Sequence, residues 1–106
     1  MLDAFQHYTA VIDHASSGNN TVVAAVTGKK IVVTSFCLVS AGTVTARFES
    51  AADGTALTGQ MTMAVNTSVA APYNEAGHFW TVAGELLNLE LSGAVSVDGW
   101  LTYRLV

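Results

Sequence analysis

Three histidines, one cysteine and eight carboxylates are the residues of this 106-residue chain best equipped for chemistry. Metal binding or acid–base catalysis needs several of them converging on one point. His7 and His14 stand an odd number of residues apart, which puts them on opposite faces of a continuous strand. His78 has no acidic or thiol neighbour at a ligand spacing. Cys37 is alone, so it forms no internal disulfide, and its surroundings read as those of a small buried hydrophobe. The carboxylates are scattered, with Glu85 and Glu90 reading as solvated turn and strand residues. A glycosidase pair brought together from distant positions stays open in principle, but nothing in the sequence points to one. No glycine-rich loop leads into a helix. The expectation is a protein that is not an enzyme and carries no metal and no cofactor.

The elements that must position these residues are short. Half of the chain is hydrophobic, mostly alanine and valine, yet charged residues make up only 11% against about 25% in an average soluble domain. So few charges leave a surface poorly protected against association, which suggests that partners cover much of it. The net charge of −4 with four basic residues lacks the electrostatic footprint of a nucleic-acid binder. The longest apolar runs fall far short of a membrane span, and Asp3, Gln6 and His7 interrupt any signal-like start.

Alternation with period two dominates the pattern. Residues 31–39 are apolar on both faces, and residues 43–49 alternate cleanly. A two-residue loop at Ala41-Gly42 would make these a hairpin in which Val39 faces Val44 and Cys37 faces Ala46. Ile31, Val33, Cys37, Val39, Val44 and Phe48 then share the core, and Val32, Phe36 and Leu38 lie outside beside Arg47. The last strand is the clearest, with Val95, Val97, Leu101, Tyr103 and Leu105 on odd positions and Trp100 alone as a large aromatic on the polar face. Further strands are expected at 5–13 with Tyr8, Ala10 and Ile12 inward, at 21–26, at 60–65, at 78–82, and at 86–91 with Leu87 and Leu89 inward. Turn clusters at 16–20 and 51–55 and an irregular stretch at 66–77 punctuate them. With no helical period, about eight strands predict a single all-β domain over residues 1–106, its first four residues a loose arm. The fold is expected to be an antiparallel, jelly-roll-like β-sandwich, with an immunoglobulin-like one as the alternative.

Two sets of residues stand out as contact candidates. Val32, Phe36, Leu38 and Arg47 form an outer patch that is either a subunit interface or the underside of a loop or second sheet. Tyr73, His78, Phe79, Trp80 and Trp100 are aromatic or imidazole groups suited to interfaces or to stacking on sugars.

Several stretches resemble small virion proteins of tailed bacteriophages: Asn20–Ile31, Leu57-Thr58-Gly59, Ala71-Pro72-Tyr73-Asn74 with Gly77-His78-Phe79, Gly84–Leu89, and Gly99-Trp100-Leu101-Thr102-Tyr103. The sequence departs from that pattern at Thr67-Ser68, where a glycine turn is expected. The resemblance implies a capsid decoration, or cement, protein that forms homotrimers on the outer capsid surface and bridges subunits of the major capsid protein. It would be made in the host cytoplasm and would bind neither nucleic acid nor membrane. The alternative is a carbohydrate-binding β-sandwich module of a phage tail or fibre, with Tyr73, His78, Trp80 and Trp100 as its contacts.

Overall fold

The computed structural model describes residues 6–106; the expected arm at residues 1–4, together with Phe5, lies outside the described residues. Ten strands follow in order: β1 (Tyr8–His14), β2 (Gly18–Val23), β3 (Ile31–Ser40), β4 (Val44–Ser50), β5 (Thr55–Ala56), β6 (Met61–Met63), β7 (Ser68–Ala71), β8 (Phe79–Trp80), β9 (Leu87–Leu91) and β10 (Val97–Leu105). They form two antiparallel sheets. The first, sheet A, runs β1-β10-β3-β7 with β8 also on β3; sheet B runs β2-β9-β4-β5 with β6 also on β4. β7 and β8 share one edge of β3, and β5 and β6 share one edge of β4. Counted as two interrupted strands, they reduce ten to the expected eight. The chain crosses between sheets at nearly every step, and its order is that of a jelly roll.

The expected hairpin at 31–49 is not a hairpin. β3 and β4 lie in opposite sheets, and residues 41–43 carry the chain across the sandwich. β3 is already flanked by β10 and by β7 and β8, while β4 has β9 on one side and β5 and β6 on the other. Local alternation shows which face a strand buries but not which strand it pairs with.

A β-bulge explains the second difference. Thr102 pairs with Ser35 and Tyr103 with Val33, so Thr34 is the extra residue. An inserted residue reverses the phase of everything beyond it. Ile31 and Val33 point inward before the bulge, and Phe36 and Leu38 point inward after it. Phe36 and Leu38 are therefore core residues, not an outer patch, and Cys37 and Val39 turn outward instead of sharing the core. The bulge is fastened by Thr102 Oγ1, which hydrogen-bonds to the hydroxyls of both Thr34 and Ser35.

Elsewhere the alternation holds. Val44, Ala46 and Phe48 of β4, Leu87, Leu89 and Leu91 of β9, and Val97 and Leu101 of β10 are fully or almost fully buried. Tyr103 is half-buried against the same core, as is Ala10, while Ile12 is enclosed. At the centre Phe48 of sheet B meets Phe36 and Phe79 of sheet A, with ring centroids 5.3 and 5.2 Å away. Such tilted and edge-on arrangements suit the ring quadrupoles. Gly99 sits where β10 presses on β3: at φ 152° it faces Leu38, and a Cβ there would fall 1.8 Å from the Cys37 carbonyl oxygen.

The expected turn at 16–20 is shorter, because Gly18, Asn19 and Asn20 already belong to β2. Asn20 satisfies its own side chain there, donating from Nδ2 to the carbonyls of Ser16, Gly18 and Leu89. Val65, the last residue of the strand expected at 60–65, lies beyond the end of β6 and is exposed. β5 and β7 formed inside stretches expected to be turn and loop.

Candidate contact surfaces

The register of sheet A fixes the layout of its outer face. One row crosses all four strand positions as Val11, Trp100, Cys37 and Ala70; the next runs Asp13, Asp98, Val39 and Ser68. Val11 is 75% exposed, Trp100 45% and Val39 41%. This is an apolar row on open sheet, bordered on one side by two aspartates directly opposite each other. Like charges so placed repel, and Ser96 Oγ donates to Asp98 to relieve part of that field.

The other half of the same face is covered. Residues 72–78, between β7 and β8, fold back across it as a strap. Asn74 N donates to Thr34 O, and His78 N donates to Val33 O. Tyr73 reaches across to His7, ring edge to ring face at 5.5 Å with Oη 3.2 Å from Nε2. Arg104 Nη2 donates to Glu75 O. His78 Nε2 lies 2.7 Å from Pro72 O, which closes the strap on itself. Gly77 lies so close over Val32 that a Cβ would sit 2.3 Å from its Cγ1. Val32 is buried for this reason, on the outer face yet beneath the loop.

At the edge of this face Trp80 pairs with Val32 and points outward, 51% exposed. Trp80, Lys30, Thr81, Val82 and Ala83 line a shallow groove of about 380 Å³. Its shape comes from main-chain ties: Thr81 N donates to Ile31 O, Gly84 N to Lys29 O, and Lys30 exchanges both bonds with Val106.

The outer face of sheet B is polar instead. Arg47 Nε donates to Glu49 Oε2 at 2.7 Å, and Asn88 Nδ2 donates to Glu49 Oε1 at 2.9 Å and to Asn19 Oδ1 at 2.8 Å. Arg47 also reaches Glu90 at 3.4 Å. Glu49 is fully enclosed by this network. Burial alone would push its carboxyl up, but hydrogen bonds from Glu90, Arg47 and Asn88 together hold it below the ordinary value. Glu90 moves the opposite way, raised by its hydrogen bond to Glu49 and by that group's charge. The two carboxyls share a site and are clamped by an arginine. Among the described residues, no group of three His, Cys, Asp or Glu side chains is placed to hold a metal ion.

The four residues expected to form one outer patch are thus separated. Phe36 and Leu38 are in the core, Val32 is under the strap, and Arg47 is on the other sheet beside Glu49. Among the contact candidates, Trp80, Trp100 and Tyr73 are exposed at three places on the same sheet face, and His78, also exposed, is tied to the strap through Pro72 O. Val11 was missed, although the inward assignment of Ala10 and Ile12 already placed it outside. A search of protein-family models and one of curated proteins find no match to this chain.

Proposed function

We propose that this protein is a structural component of a phage virion, a decoration protein that docks on the outer capsid surface, assembles as a homotrimer and bridges subunits of the major capsid protein. The observation that supports this best is the open apolar row Val11–Trp100–Cys37–Ala70 on a chain with so few charges. An exposed apolar strip on a rigid sheet is a surface for another protein. The resemblance to small virion proteins, and a jelly roll whose one buried carboxylate among the described residues, Glu49, is engaged in structural bonds, point the same way. In the proposal the strap sets the height of the covered half of the face, so a partner meets a step with Trp100 on its lower side.

The test is to mix purified protein with the capsids of its parent phage, stripped of this component, and to image the particles by electron microscopy. Density at regular positions on the shell is expected, and Trp100→Asp should remove it while leaving thermal unfolding unchanged. Bare shells with the unaltered protein, or density on the tail, would refute the decoration role.

A further inference from the structure

We propose that the Lys30–Trp80 groove is a binding site for a carboxylate-bearing sugar residue, such as a uronate within a polysaccharide. Recognition of a sugar ring needs a flat apolar platform, because one pyranose face carries C–H groups, and a polar partner at its rim. Trp80 supplies the platform: its indole is half exposed on a β-strand whose position is fixed by pairing with Val32. Lys30 supplies the partner and selects for charge.

Three features of this place bear on the proposal. The groove has about 380 Å³ of space, at the small end of the usual ligand-site range of about 300–1,000 Å³. Its lining is a single aromatic, a valine, an alanine, a threonine and one cation, with no carboxylate among them. The cation is also uncommitted. The chain has only two lysines, Lys29 and Lys30, side by side, and among the described residues no carboxylate lies within ion-pair distance of either. In a protein of net charge −4 that concentrates the free positive charge beside the exposed indole. A neutral glycan would leave the ammonium unused, and an acidic peptide would leave the indole without a ring to stack on. A uronate uses both.

The groove lies at the edge of the same sheet face, across the strap from the open row. The experiment uses the whole chain in a Trp100→Phe background, which leaves Trp80 as the only tryptophan. Its fluorescence is titrated with oligogalacturonate, with a neutral glucan of matched length, and with a short poly-glutamate. The expected result is a saturable change with oligogalacturonate, binding at least about tenfold weaker to the glucan, and loss of about tenfold in affinity on Lys30→Gln. Affinity should also fall with added salt, as for any partly exposed ion pair. Trp80→Ala, followed by calorimetry and checked for folding by circular dichroism, should abolish binding. The proposal is overturned if oligogalacturonate fails to bind at millimolar concentration, if the glucan or poly-glutamate binds as well, or if folded Trp80→Ala binds as the parent does.

Discussion

Truncating Phe36 to alanine tests the bulge at Thr34, on which the whole phase of β3 depends. With the bulge, the ring of Phe36 is almost wholly buried, 5.3 Å from Phe48 and 6.2 Å from Phe79. Removing such a ring costs about 3–5 kcal/mol through lost transfer energy and the cavity left behind. The two ring contacts account for about 0.5–1.5 kcal/mol each within that loss. Against a total stability of about 5–15 kcal/mol this is a large fraction. At about 4–8 °C per kcal/mol for a domain of this size, Tm should fall by roughly 12–40 °C. The assay is urea unfolding followed by tryptophan fluorescence, with Val39→Ala as the control. Val39 faces outward, so its truncation should cost no more than about 0.5 kcal/mol. The midpoint should shift for Phe36→Ala with the slope unchanged, because the fold and the area exposed on unfolding stay the same. If Phe36→Ala costs under about 1 kcal/mol while Val39→Ala costs more than about 2 kcal/mol, the strand is in the other phase and the bulge is misplaced.

Gly99→Ala should cost more than about 2 kcal/mol or prevent folding, since its φ is unfavourable for other residues and the new methyl meets main-chain atoms. Gly93→Ala, with nothing within 4 Å, should be tolerated, and thermal melts of the two variants decide the point. The Glu49–Glu90 pair gives opposite pH dependences. Glu49, lowered in the fold, contributes stability above its unfolded value, and that contribution is lost as pH falls through its folded value. Glu90, raised in the fold, contributes below its unfolded value and loses that contribution as pH rises through its folded value. Glu90→Gln should therefore gain stability relative to the parent at pH 7, its exposed pairing with Arg47 counting for little. The gain should fade below the ordinary glutamate value of 4.5; urea midpoints at pH 3.5 and pH 7 that differ equally for the two proteins would refute the pairing.

What the sequence made legible follows from how each strand is buried. β10 and β4 are each solvated or polar on one side, so their alternation wrote the inward set directly: Val97, Leu101, Tyr103, and Val44, Ala46, Phe48. β3 lies in mid-sheet beneath a strap, so both faces of its first half are buried and its letters carry no phase. A bulge in such a strand leaves no mark, because Thr34-Ser35 looks like any polar pair. Trp100 was visible as a candidate because a large aromatic on a polar face breaks the pattern, and Trp80 because it belongs to an aromatic set suited to contacts. Their separation, and the removal of Phe36 and Leu38 from the surface, depend on pairing between residues far apart in the chain, which local spacing does not encode. The burial of Val32 is of the same kind, since Gly77 covers it from a different segment.

The position of β10 in the middle of sheet A has a kinetic meaning. Tyr8 pairs with Tyr103, and Ile31 with Leu105, so both neighbouring strands wait for the last strand to arrive. Among the described residues, only the short β5 and β6 pairings on β4 close small loops. Domains dominated by such distant pairings fold in milliseconds to seconds rather than microseconds. During synthesis the apolar faces of β1 and β3 stay open until β10 has left the ribosome, so the nascent chain is most prone to misassociation before β10 emerges.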